Sequence, residues 1–206
     1  MKLVIEYQYF PPVTLFKTLR SRTHLLFERY ESFQKRSFRN RVVIAGADGP
    51  ISLSIPLRSG RNQKCLTRDV LIDNRTRWQV LHWKTIVSCY NRSPWFEYYQ
   101  DELKELYKMD FEFLVDWNYA CFQWALNKLE LNLPVSMTDH WEQEYDTVLC
   151  DDWRNKLSPN SIQTKFPDSP QYRQVFSDRT GFIPHLSILD LLFCEGKNGR
   201  IILDMQ

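Results

Sequence analysis

Apolar residues are arranged differently in the two halves of this chain. Up to about residue 72 they come in short runs; beyond that they recur at spacings near 3.6. Leu3-Val4-Ile5 reads as a short buried strand. Pro11-Pro12 interrupts it, and Val13 to Leu19 fits a helix with proline at its start. Leu25-Leu26-Phe27 predicts a second strand. Val42-Val43-Ile44 and Ile51 to Ile55 flank Asp48-Gly49, a strong turn signal, and predict a hairpin. Val70-Leu71-Ile72 predicts a further strand after a basic loop over 58–64.

Helical spacing then takes over in 76–91, 94–108 and 113–131. In the last, Leu114, Trp117, Cys121, Ala125 and Lys128 or Leu129 share one face, as expected of a core helix. Residues 151–174 hold few large apolar groups among three prolines and predict an irregular arm or lid. A short helix over 185–193 and a last strand at Ile201-Ile202-Leu203 close the pattern. The expected fold is a single α/β (or α+β) domain over 1–206, with a mostly-strand N-terminal half and a helical C-terminal half.

Composition adds one thing. The net charge of +2 is a cancellation: residues 1–92 carry 17 Lys/Arg and 6 Asp/Glu, while 93–206 carry 10 and 19. An acidic half argues against a protein that coats nucleic acid. The basic half suggests a cationic site.

Five cysteines lie 24, 32, 29 and 44 positions apart with no CxxC pair, and the four histidines are equally scattered. Neither a disulfide framework nor a metal site is expected. Only three consecutive apolar residues follow Lys2, too few for a signal peptide, and no run approaches a membrane span. A reducing cytoplasm is the expected setting.

Lys35-Arg36-Ser37-Phe38-Arg39-Asn40-Arg41 places four cations in seven positions. If extended, it sets Lys35, Ser37, Arg39 and Arg41 on one side, suited to a phosphate or carboxylate. A solvated edge strand protected by its charge is the other reading. The helix over 76–91 has two stripes. Val80, Trp83, Ile86, Val87 and Tyr90 read as core. Trp78, His82, Thr85 and Cys89 read as a pocket wall or a second packing face. His82 and Cys89 stand roughly 10 Å apart along the axis, too far to form a dyad. His82 is either structural or a general base. Asp178-Arg179 precede a glycine turn, and Asp190 sits in an apolar run, either exposed or buried and paired. Nucleotide-loop and hydrolase signatures are missing from the sequence.

Several blocks occur in order: Tyr9-Phe10-Pro11-Pro12, Lys35-x-Ser37-x-Arg39-Asn40-Arg41 and Leu53-Ser54-Ile55-Pro56-Leu57. Trp78-x-x-x-His82-Trp83-Lys84-Thr85-Ile86 and Tyr90-x-x-Ser93-Pro94-Trp95-Phe96-Glu97-Tyr98-Tyr99 follow. Last comes Tyr172-x-x-Val175-Phe176-x-Asp178-Arg179-x-Gly181-Phe182-Ile183-Pro184, continuing through Leu186-Ser187-Ile188-Leu189-Asp190-Leu191-Leu192-Phe193. From about residue 7 to 195 the chain resembles the WbqC-like proteins of bacterial surface-polysaccharide gene clusters. It departs from them at Glu6-Tyr7, where the family's opening motif has Gln-Pro. Cys89 stands where alanine is usual, and His185 where asparagine is common.

The resemblance implies a role in making O-antigen or a related glycan, as a transferase acting on an activated sugar or an acyl or aminoacyl donor. It assigns no reaction residue by residue. In that reading His82 is the general base, with Asp178 or Asp190 orienting it. Lys35, Ser37, Arg39, Asn40, Arg41, Trp78, Lys84, Tyr90 and Arg179 form the expected binding set for a phosphate-bearing small molecule. The cofactor stays unassigned. The alternative is a non-catalytic partner or scaffold docking on other glycan-biosynthesis proteins, with 151–174 as its contact arm. Nucleic acid is not an expected partner.

Overall fold

The computed structural model describes residues 1–60 and 62–205. Its centre is a parallel sheet of order β5-β2-β1-β6. Strand β1 (Lys2–Glu6) buries Leu3, Val4 and Ile5 on both faces, as a central parallel strand requires. Helix α1 (Val13–Leu19) starts at Pro12 and connects β1 to β2 (His24–Glu28), which lies parallel to it with Lys2 opposite His24 and Glu6 opposite Glu28. The hairpin forms as expected, from β3 (Arg41–Gly46) and β4 (Gly49–Ser54).

The helices α2 (Trp78–Tyr90), α3 (Phe96–Lys108) and α4 (Leu114–Lys128) follow. In α4 the expected face is buried: Leu114, Trp117, Cys121 and Ala125, with Leu129 just beyond. The sheet is then completed from the C-terminal half. Strand β5 (Val135–Met137) joins β2, and β6 (Cys150–Asp152) joins β1. Short helices α5 (Ile162–Lys165) and α6 (Ser177–Thr180) lead to α7 (Ile188–Glu195) and α8 (Gly199–Asp204). One apolar cluster runs from Leu3 on β1 to Leu203 on α8.

Several expectations are corrected. The Val70–Ile72 run is no strand. It follows a 3-10 turn and makes only isolated bridges, Leu71 to Phe113 and Ile72 to Leu57. Ile201-Ile202-Leu203 is helical in α8, where Leu203 is buried and Ile201 is exposed; packing overrides β-branched propensity there. The 151–174 segment holds only short elements and is anchored to the body of the fold. It begins in the sheet, the Trp153 amide donates to the Val4 carbonyl, and Trp153, Leu157 and Ile162 are buried. On α2 the second stripe is buried as a packing face beside the first: Trp78, His82 and Cys89 face inward with Ile86 and Tyr90, while Val80, expected in the core, is 50% exposed.

The last of these follows from ring packing. Trp78 meets Trp117 edge-on at 5.3 Å between centroids, and His82 lies over Tyr9 at 5.9 Å. Trp78 and His82, whose ring nitrogens have partners in Asn74 and Tyr9, fill this interior with planar packing.

The two strands that leave β1's neighbourhood do so on opposite sides, so the sheet's topological switch point lies between β1 and β6. Ligand crevices of open parallel sheets favour the carboxyl ends of strands at such a point. Here those ends carry Glu6, Glu28, Asp152 and Arg154.

Candidate functional site: a cationic cleft

Residues 35–40 are a succession of turns and bends, and only Arg41, at the start of β3, is in a strand. Arg36 adopts φ 57°, which reverses the chain, so the alternation expected for Lys35, Ser37, Arg39 and Arg41 does not hold. Arg39 turns inward and is 1% exposed. Its Nε and Nη2 donate to the Glu31 carboxylate at 2.7 and 2.6 Å, and Nη2 also donates to Asn155 Oδ1 at 2.8 Å. Glu6 Oε2 lies 3.8 Å away and accepts from the Asn155 main-chain amide at 2.9 Å. Burial lifts the Glu31 carboxyl above its usual range although Arg39 acts against it. Thus Arg39 is saturated by carboxylates.

The rest of the segment is anchored around it. Ser37 is buried and donates to the Gln34 carbonyl at 2.6 Å. Asn118 donates to the Arg39 carbonyl, the Tyr9 amide to the Phe38 carbonyl, and Asn40 to the Ile55 carbonyl. What remains at the surface is an open cleft of about 600 Å³. It is lined by Lys35, Arg36, Asn40 and Arg41, by residues 54–57 where β4 runs out, and by Phe33, Gly60 and Asn160. Among the described residues no carboxylate lines it, and none pairs with Lys35, Arg36 or Arg41. Lys35 donates only to the neutral Asn62 Oδ1 at 3.1 Å. An anion would find three cations there with no competing internal partner.

His82 lies behind this cleft. It is buried, its Nδ1 stands 3.0 Å from the Tyr9 hydroxyl, and that hydroxyl also bonds to Tyr107. Burial lowers the imidazole to about 4, against a hydrogen bond to the main chain of Ser54, a cleft residue. The ring is therefore neutral near pH 7, and its partners are tyrosine and backbone. Trp78 packs beside it and donates to Asn74, whereas Lys84 is on the exposed side of α2.

The acidic candidates lie elsewhere. Asp190 is fully buried and accepts from Tyr90 and Tyr172, each at 2.7 Å. Burial raises its carboxyl to about 6 despite those bonds. Tyr90 also accepts from the Ala45 amide at 2.9 Å, so this cluster ties α2, α7 and β3 together. Asp178 lines a separate hollow of about 260 Å³ with Arg92, Arg173 and Cys194. Arg179 pairs with Asp48 at the hairpin turn, at 2.9 Å. The cleft borders the other end of that hairpin, a strand length away, roughly 17–20 Å. Neither aspartate orients His82.

Lys35, Asn40 and Arg41 thus share the cleft, while Ser37 and Arg39 support it from within. Arg36, Ser54 and Asn160 are cleft residues that sequence reasoning missed. Assumed alternation put Arg36 on the far side, and Asn160 comes from the segment read as an arm. Among the described residues no cluster of His, Cys, Asp and Glu is placed to hold a metal ion, and no helix is long and apolar enough to cross a membrane.

Fold and site together describe a mixed α/β protein with an anion-receptive cleft at one end of a hairpin. The chain belongs to the WbqC-like protein family, whose model matches residues 7–153. That match takes in the cleft's turn segment, the hairpin and helices α2 to α4, and ends before the Tyr172 to Phe193 block. No curated protein and no solved structure matches the chain.

Proposed function

We propose that the protein is a transferase of bacterial surface-polysaccharide synthesis that holds a phosphate-bearing donor in the cleft of Lys35, Arg36 and Arg41. One observation carries the reading: among the described residues three cations line a cleft that no carboxylate lines. Family membership supports the setting through the link to polysaccharide gene clusters that the resemblance implies. In the transfer, the bond between the moving group and its carrier breaks and the electron pair leaves with the carrier. An acceptor hydroxyl or amine forms the new bond and loses its proton to water. For a nucleotide-sugar the cations act on the carrier's diphosphate, where negative charge grows as the bond breaks; for a coenzyme A thioester the charge grows on sulfur and the cations hold the carrier's phosphates in place.

Arg39 and Ser37 serve this site as supports, and His82 serves it through the Ser54 main chain. Titration calorimetry against nucleotide-sugars and coenzyme A thioesters tests the reading. At least one is expected to bind, and to lose that binding in the Lys35→Ala, Arg41→Ala double variant. Absence of binding across the set overturns it.

A second reading has its own support. Among the described residues no His, Cys, Asp or Glu lines the cleft, so the walls lack a ready base. A ligand-binding but non-catalytic partner of a glycan-synthesis complex fits that lining. It predicts binding without turnover when the chain is alone, and recovery from native cells with a stoichiometric partner.

A further inference from the structure

Arg36 is an exposed arginine with φ 57°, in the left-handed region. Side chains other than glycine, asparagine and aspartate enter that region at a cost. No carboxylate among the described residues compensates it. A glycine would make the same turn without strain, yet the chain places a guanidinium there, on the wall of the cleft. Backbone strain of this kind persists where surrounding structure enforces it, and it collects at binding sites. The enforcement is visible: Ser37 closes the turn onto the Gln34 carbonyl, and Phe38, Arg39 and Asn40 are hydrogen-bonded to Tyr9, Glu31 and Ile55.

We propose that the cleft recognises a diphosphate rather than a single phosphate, and that Arg36 supplies the contact to the second phosphoryl group. This rests on the phosphate-binding reading above. Arg41 at the start of β3 and Lys35 before the turn supply two cations, enough for one phosphate ester. Arg36 adds a third, with two parallel donors suited to a phosphoryl edge. Among the described residues the cleft has these three cations and no carboxylate, so a monophosphate dianion leaves positive charge uncompensated and a terminal diphosphate, with one further negative charge, removes it. Nucleoside diphosphates and coenzyme A share this group, so the experiment separates them.

The test is calorimetry on the full chain at fixed ionic strength with inorganic phosphate, pyrophosphate, UMP, UDP and coenzyme A. One added charge-assisted contact predicts that diphosphates bind roughly tenfold tighter than their monophosphate counterparts. UDP and coenzyme A show which organic end the cleft accepts. In Arg36→Gly the preference for diphosphates should vanish while the melting temperature stays level or rises. Arg36→Asn, which tolerates the same turn, serves as the second variant. UMP and UDP binding alike in the wild type overturns the diphosphate assignment but leaves the phosphate reading standing. No binding by any of the five overturns both. A preference that survives in both Arg36 variants removes Arg36 from the site.

Discussion

Arg39 and Arg41 are two residues apart, carry the same charge and have opposite surroundings. Arg41 is partly exposed in the cleft, with no carboxylate partner among the described residues. Arg39 is enclosed by Glu31, Glu6 and Asn155. Removing one partner of such a buried set leaves the others uncompensated, so Arg39→Ala should cost about 3–5 kcal/mol. Arg41→Ala, at the surface, should stay within about 0.5 kcal/mol. Urea unfolding of the two variants checks the contrast, and ligand binding should respond in the reverse sense for Arg41. Equal stability losses would show that Arg39 is not the pivot of the turn segment.

At the scale of elements, Gly196 offers the sharpest test of packing. It ends α7 with φ 58°, and a β-carbon there would overlap the Trp95 indole ahead of α3. Both the backbone conformation and the ring oppose a side chain, so Gly196→Ala should lower stability by about 1–3 kcal/mol or more. A melting curve unchanged by that substitution would mean the α7–α3 junction is looser than described. The elements legible in the sequence were those whose signal is local. Pro12 and the apolar residues after it mark α1, Asp48-Gly49 marks the hairpin, and repeated apolar spacing marks α2 to α4. Strands β5 and β6 have three residues each and no alternation in Cys150-Asp151-Asp152. Their existence depends on parallel partners over a hundred residues away, which no window of sequence contains. The candidate site was half legible for the same reason. Charge density located Lys35, Asn40 and Arg41, but the turn that brings in Arg36 is imposed by Arg39's distant partner Asn155 and by Asn118.

Across the whole molecule the two oppositely charged halves meet. Arg20 pairs with Asp204, Arg22 with Asp151, Arg58 with Glu112, and Glu28 with Arg154. Among the described residues these pairs engage only Arg20, Arg22 and Arg58 of the basic half's cations, and the cleft's Lys35, Arg36 and Arg41 lie outside that pairing. Two buried groups outside it, His82 and Asp190, govern a second balance. The folded chain refuses a proton at His82 until about pH 4, whereas the unfolded chain accepts one near 6.5. Its contribution is therefore complete above about pH 6.5 and falls by about 3 kcal/mol as pH drops through 4. Asp190 runs the other way: the folded chain keeps its proton up to about pH 6, and the unfolded chain loses it near 3.8. Its contribution is complete below 3.8 and is lost, by about 3 kcal/mol, as pH rises through 6. Over most of the interval from pH 4 to 6.5 the two slopes cancel, so the wild-type chain should show little net dependence from this pair. Asp190→Asn should expose the His82 slope, with stability falling steadily toward pH 4. His82→Asn should expose the Asp190 slope, with stability rising as the solution is acidified. Glu31 tilts in the same direction as Asp190, so the comparison between variants carries the test, not the absolute curve. Urea unfolding at half-unit steps from pH 4 to 7 measures all three chains, and parallel curves for both variants and the wild type would refute the opposing pair.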